Sequence, residues 1–350
     1  MNQKIKTMGL FAILPLVMMA TISPSLIDDA FALKSQGNPN QKYGAATSNI
    51  VCGGALCSEI NEESQIRVHE KTIKIQGLDV FYLEAGNPDA PTVLLLHGFP
   101  TSSHMFRNLV PALADEFHVV APDYIGYGRS SMPTVDEFDY TFENQKEIVK
   151  EFTEKLGLEE YTLYVMDYGG PIGFRLFSDN PEKVQGFIIQ NANAYEEGLE
   201  EFWDDWKAWW ADPTPENEAK LHHLITLDAT IWQYTHGTRN PDAIDPANWL
   251  VDQAALDRPG NAAIQLAMAF DYQTNVPLYE TWQENFREYQ PPALIVWGAN
   301  DYIFPESGAH PYERDLDFVE KHILDTGHFV LEEDLDFVAK EIKDFVNSIP

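Results

Sequence analysis

Asp167 stands in the run VMDYGG, directly after the apolar residues 162–166 and before a helical pattern that begins at Gly170. A strand, one polar residue, two glycines that permit a tight turn, and a helix with Pro171 in its first turn describe a nucleophile elbow. Many hydrolases carry serine at this corner, within GxSxG; here the corner carries a carboxylate. An aspartate also caps helix N-termini well, which is the structural alternative for Asp167. Two further polar residues follow strand patterns in the same way. Asp301 comes just after residues 293–297, and His328 follows the last strand pattern, inside which the rival His322 lies. In open sheets flanked by helices, ligands bind at the carboxyl ends of the strands, so these are the positions where chemistry is expected.

The elements that must position them are legible as alternation. Residues 66–75 and 78–83 alternate apolar and polar side chains across Gln76-Gly77, which predicts an antiparallel pair at a sheet edge. Residues 92–96, 118–121, 162–166, 184–190 and 293–297 are short apolar runs, the pattern of parallel strands covered on both faces. Helical patterns over 103–114, 142–156 and 170–177 lie between them, and residues 329–349 close the chain as an amphipathic helix. The prediction is an α/β fold, a mostly parallel twisted sheet with helices on both faces. Residues 193–291 interrupt the rhythm: they contain no buried strand and hold seven of the eight tryptophans. We expect a helical cap there, with helices near 202–210, 219–227 and 262–270, inserted into a core of 65–192 and 292–350. Trp203, Trp206 and Trp210 share one helical face. Such a stripe packs a cap onto a core, or turns an indole N–H into the pocket as a halide or oxyanion donor.

Residues 65–350 resemble the α/β-hydrolase superfamily, in the branch of epoxide hydrolases and haloalkane dehalogenases, whose nucleophile is an aspartate. HGFP at 97–100 is similar to the HGxP turn of that branch, and DYIGYGRS at 123–130 to the loop after its next strand. WGANDYIFP places Asp301 where the family has its acid, and DTGHF places His328 where it has its base, in the family's chain order. The resemblance implies a two-step reaction. Asp167 attacks a saturated carbon to form an ester, and His328, held by Asp301, deprotonates the water that hydrolyses it. The turn geometry nominates the backbone N–H groups of Phe99 and Tyr168 for the oxyanion of the second step.

Two substrate classes remain open. Dehalogenases usually have tryptophan after the nucleophile and often asparagine in HGxP, both donating to halide; this chain has Tyr168 and Phe99. Epoxide hydrolases instead protonate the opening oxygen with cap tyrosines, and Tyr272, 29 residues before Asp301, stands where the family has its second one. Tyr234 is the best available first one, with cap packing as its alternative. Val165, two residues before the nucleophile, is the dehalogenase pattern. The expected function is therefore an epoxide hydrolase-like enzyme on small apolar substrates, with a haloalkane dehalogenase-like enzyme second and a noncatalytic binding module third. An ester substrate is disfavoured, because an aspartate nucleophile would form an anhydride from it.

Composition sets the outer limits. A chain of 350 residues with 44% hydrophobic and 22% charged residues is globular, and its formal charge of −32 disfavours nucleic acid as a partner. The expected partners are a small apolar molecule and water, with no dedicated protein partner, no metal and no organic cofactor, since no histidine cluster or phosphate-binding glycine loop is present. Lys4 and Lys6 precede an apolar run from Met8 to Ile22, and Ala30-Phe31-Ala32 supplies a cleavage pattern, so residues 1–32 read as a signal peptide. Export is the expectation, with a membrane tether as the alternative if the segment is retained. Residues 33–64 read as an extension, in which Cys52 and Cys57 are expected to close a local disulfide.

Overall fold

The computed structural model describes residues 66–349 and, before them, the backbone of a short antiparallel ladder pairing Val51–Cys52 with Ala55–Leu56. The expected signal peptide and the expected Cys52–Cys57 disulfide fall outside the described residues. The main sheet has eight strands: β1 His69–Ile75, β2 Leu78–Ala85, β3 Thr92–Leu96, β4 His118–Pro122, β5 Tyr161–Met166, β6 Val184–Gln190, β7 Ala293–Gly298 and β8 Val319–Leu324. Their spatial order is β8-β7-β6-β5-β3-β4-β2-β1. Only β2 runs antiparallel to its neighbours. The β1–β2 corner uses Gln76 (φ 51°) and Gly77 (φ 86°), two consecutive left-handed residues of the kind that let a two-residue turn follow the twist of its strands. The central strands are covered on both sides: Val93 to Leu96 and Leu294 to Trp297 have no exposed surface.

Helices α1 Leu109–Leu113, α2 Phe142–Leu156 and α3 Gly169–Asp179 connect the strands, and α10 Leu331–Ser348 ends the chain. Thr141 caps α2 by accepting from the Asn144 N–H, and Gly157 at φ 70° closes its other end. The pattern over 103–114 divides into a 3-10 turn, Ser103–Phe106, and α1. Pro111 is the reason: its ring clashes with the carbonyl four residues back, so the α-helix cannot extend through Arg107.

Between β6 and β7 lie α4 Asp204–Ala211, α5 Pro215–Ala219, α6 Leu227–Thr235, α7 Ala247–Leu256, α8 Asn261–Asp271 and α9 Tyr279–Tyr289. The helix expected over 219–227 is not formed. Thr214 with Pro215 starts α5, and Thr226, in extended conformation with its side chain accepting from the Ala229 N–H, starts α6 after a 3-10 turn. These threonine caps outweigh the apolar spacing. Among the described residues no helix is long and apolar enough to cross a membrane.

Candidate active site

Asp167 follows β5 at φ 50°, an uncommon conformation for a residue with a side chain. The corner holds because its neighbours are glycines. A Cβ on Gly169 would lie 2.2 Å from the Leu96 carbonyl oxygen, and one on Gly98 would lie 2.3 Å from the Asp167 Cβ. Freed of that clash, the Phe99 and Tyr168 N–H groups both donate to Asp167 Oδ1, each at 2.6 Å. Burial pushes the Asp167 pKa up to about 6, opposed by the charge of His328 and by these two N–H donors.

His328 follows β8, and its Nδ1 meets Asp301 Oδ2 at 2.7 Å. With that bond donated by the imidazole, Nε2 keeps its lone pair; it lies 3.9 Å from Asp167 Oδ2 and has no hydrogen-bond partner. Burial works against a charged imidazole here, but the Asp301 charge and hydrogen bond, helped by Asp167, outweigh it and raise the His328 pKa. Asp301 is itself held: Oδ1 accepts from the Ile303 N–H at 2.8 Å. The His328 carbonyl accepts from Gln190 Nε2 at 3.0 Å. The structure thus brings together Asp167, Asp301, His328 and the N–H groups of Phe99 and Tyr168.

Asn191 is the member that sequence reasoning missed. It follows β6 at φ 40° and is fully buried. Its Nδ2 donates to Asp301 Oδ2 at 2.8 Å, its Oδ1 accepts from the Gly298 N–H at 3.0 Å, and its carbonyl accepts from the Asp167 N–H at 3.2 Å. One residue therefore ties the acid to the corner that carries Asp167. Its position just past a strand end was the available signal. Asn191→Gly keeps the backbone conformation and removes only the amide. We expect kcat to fall on the order of tenfold to a hundredfold with KM little changed, because the Asp301–His328 pair loses its alignment. Steady-state kinetics check this, and an unchanged kcat would assign Asn191 to folding alone.

A cavity of about 490 Å³ opens over Asp167, walled by Phe99, Tyr168, Phe202, Trp203, Trp206 and Trp232 among others. Two members of the tryptophan stripe spend their indole N–H on backbone carbonyls. Trp203 donates to the Ile303 carbonyl at 2.8 Å and Trp210 to that of Ala269 at 3.2 Å, both packing bonds. The Trp206 indole, on the cavity wall, has no protein acceptor among the described residues.

The two cap tyrosines fall differently from expectation. Tyr272 is not on the cavity wall: its ring packs 4.5 Å from that of Trp203 and 5.9 Å from that of Tyr168, one layer behind them. Its hydroxyl is buried, and burial, the nearby Tyr279 phenol and the Asp167 charge hold its pKa well above the ordinary phenol range. Tyr234 is turned away altogether. Its hydroxyl donates to Asp252 Oδ2 at 2.6 Å and its ring stacks on Phe329 at 4.0 Å, so it joins α6 and α7 to the segment after His328. The expectation of a proton donor at Tyr234 is corrected accordingly: its hydroxyl is fully buried against Asp252, away from the cavity over Asp167.

Asp252 in turn is raised to about 7 by burial, against its bonds to Tyr234 and Thr101 and the charge of Arg107. A raised carboxyl pKa means that the folded chain holds a proton the unfolded chain has released, so this site's contribution to stability falls as pH rises from about 4 to about 7. The full effect is about 4 kcal/mol at most. Relative to the unmodified protein, Asp252→Asn should therefore gain melting temperature between pH 5 and pH 8. A difference that stays constant with pH, read from thermal melts, would refute this.

With this geometry in place, comparison with known proteins gives the family. A family model described as the alpha/beta hydrolase fold matches residues 91–335. The chain belongs to the α/β-hydrolase fold family. An uncharacterized hydrolase of Saccharomyces cerevisiae is 42% identical over 265 residues, covering 74% of this chain and 90% of that one. A haloalkane dehalogenase of Mycobacterium marinum is 40% identical over 115 residues, 33% of this chain and 38% of that enzyme. The chain thus matches well under half the length of that dehalogenase. Among solved structures, Cfl2 of Burkholderia cenocepacia aligns with a TM-score of 0.67 at 23% identity, over 79% of this chain and 95% of that one. The haloalkane dehalogenase DbeA of Bradyrhizobium elkani aligns at 0.65 and 22%, over 81% and 99%. At such identities these likenesses establish the shared α/β-hydrolase fold, here an eight-stranded, mostly parallel sheet.

Proposed function

We propose that this α/β-hydrolase acts through an ester between Asp167 and a saturated substrate carbon, and that its substrates are small apolar epoxides. In the first step Asp167 Oδ2 attacks the carbon, and the carbon–oxygen bond of the ring breaks. Oδ1, already between the Phe99 and Tyr168 N–H groups, becomes the carbonyl oxygen of the ester. In the second step His328 Nε2 takes a proton from water, the water oxygen adds to Cγ, and the charge that collects on Oδ1 is met by donors that need not move. Collapse breaks the bond from Cγ to the substrate oxygen, which takes the proton of the added hydroxyl to complete the diol; the carboxylate is restored, and the proton held by His328 returns to the phenolate that protonated the opened ring oxygen.

The observation that carries the epoxide reading is the phenol-rich surroundings of the nucleophile. An opening ring oxygen leaves as an alkoxide and needs a proton, whereas a halide needs none. Tyr168 on the cavity wall is kept neutral by burial and by neighbouring negative charge, Asp167 included, and so retains a proton to give. Phe99, where dehalogenases often have a donor, offers none from its side chain. Dehalogenation is the second reading, favoured by the free indole of Trp206 on the same wall and by the partial similarity to enzymes named haloalkane dehalogenases. The deciding assay offers a matched epoxide and bromoalkane and reads diol and bromide: faster Asp167-dependent diol formation supports the first reading, faster bromide release the second. We also propose that the chain is exported, on the charge and hydropathy pattern of residues 1–32.

A further inference from the structure

β8 is an edge strand of the main sheet, and its alternation puts Glu320 and His322 on the same face. Glu341 reaches them from α10, where it stands beside the buried Ile342 and one turn after the buried Val338, at the margin of the face that the helix lays on the sheet. His322 Nε2 lies 2.9 Å from Glu320 Oε1 and 3.4 Å from Glu341 Oε2. One ligand atom from each of the three side chains falls within 4.8 Å of the other two.

The imidazole alone does not satisfy this arrangement. A proton on Nε2 can be donated to one of the two oxygens, and the nearer is that of Glu320. Glu341 Oε1 accepts from Lys340 Nζ at 2.9 Å, whereas its Oε2 receives no hydrogen bond from the protein among the described residues, although the side chain is only 12% exposed. Phe337, one turn before Glu341, meets the His322 ring in a T-shaped contact at 5.1 Å and so helps to set its direction. Charges on an edge strand discourage pairing with another sheet, but that purpose does not require carboxylates from two elements to converge on one ring nitrogen.

We propose that Glu320, His322 and Glu341 bind a divalent transition metal of the Zn²⁺ class, with solvent water completing its coordination. One imidazole nitrogen and two carboxylate oxygens suit such an ion, while Mg²⁺ and Ca²⁺ prefer oxygen ligands alone. Ligand atoms about 2.0–2.2 Å from a tetrahedral Zn²⁺ stand roughly 3.3 Å from one another, close to the separations already present around Nε2. The ion ties the free edge of the sheet to α10 and stabilises the strand that leads to His328, and no step at Asp167 passes through it. A search of the sequence for clustered histidines passes over the site, because two of its ligands are carboxylates and one of these comes from the last helix.

The test uses the full chain, stripped of metal with a chelator, dialysed, and titrated with ZnCl2 by calorimetry. One equivalent should bind and raise the melting temperature, as mass action requires of a ligand that favours the folded chain. In Glu341→Gln, a near-isosteric change, and in His322→Gln, the affinity should fall on the order of a hundredfold and the zinc-dependent rise in melting temperature should disappear. MgCl2 should produce neither effect. Zinc binding as tight in the folded variants as in the unmodified protein overturns the site, as does an unmodified protein that neither binds Zn²⁺ nor melts higher with it. An equal response to MgCl2 reduces the cluster to an unselective acidic patch and overturns it too. Should His322→Gln fold poorly, Glu341→Gln decides by itself.

Discussion

Asp167→Asn is expected to lose turnover by on the order of 10⁴-fold or more, while the protein keeps its fold and its cavity. The substitution is nearly isosteric, and the amide oxygen can still accept from the Phe99 and Tyr168 N–H groups that now bind Oδ1. What disappears is the anionic oxygen at the β5 corner that faces His328 Nε2. An amide oxygen is a far weaker nucleophile toward saturated carbon, so the covalent route closes. The measurement is kcat with the amide verified intact by mass, since reversion of a fraction of the sample to aspartate would restore activity. Full activity in a verified amide would remove Asp167 from the mechanism and favour a binding role for the module.

His328→Gln is expected to stop the cycle halfway. Attack by Asp167 does not need the imidazole, but hydrolysis of the ester needs a base beside Cγ, and glutamine cannot take the proton from water. Incubated with an epoxide, the variant should gain the whole mass of the substrate on Asp167. With a bromoalkane it should gain the mass less hydrogen bromide, so one spectrum identifies both nucleophile and leaving group. No adduct from either class, with Asp167 unmodified in the peptide map, would refute the ester mechanism for these substrates.

The unmodified protein should show the same intermediate as a function of pH. Asp167, pushed up to about 6 by burial, is ionised and able to attack above that value. His328, raised mainly by Asp301 against the cost of burial, is still protonated over the range just above its ordinary value and cannot yet serve as a base. In mildly acidic solution the ester should therefore accumulate, and it should drain as pH rises and the imidazole becomes neutral.

Much of this arrangement was legible in the chain alone. Runs such as 92–96 and 162–166 are largely apolar after a leading threonine and too short for a helix, the pattern of a strand buried on both faces, and their repetition between helical patterns implies the parallel sheet. The α2 boundaries are equally local, since Thr141 and Gly157 supply the caps that end a helix. Asp167, Asp301 and His328 could be singled out because each directly follows a recognisable strand, and because the glycines beside Asp167 have a steric meaning that one residue type satisfies.

The cap resisted the same reading. Tyr234 and Tyr272 have the same chemistry and similarly apolar surroundings in sequence, yet one is bound to Asp252 and the other lies against Tyr168. Trp203 and Trp206 share a helical face, but only the first finds a carbonyl, that of Ile303, a hundred positions along the chain. Asn191 offered only its position just past a strand end; it matters because three strand ends converge on it.

By itself, then, the sequence determined the sheet, the corner at Asp167 and the order in which the acid and the histidine follow it. The sheet and the corner depend on side-chain periodicity and on the backbone freedom of a few residues, both of which act within a turn or a strand, while the order of acid and histidine is what the resemblance to the α/β-hydrolase superfamily implies. Only the tertiary structure decided which cap side chains face the cavity and which are spent on one another, because that choice depends on the packing of segments far apart in the chain.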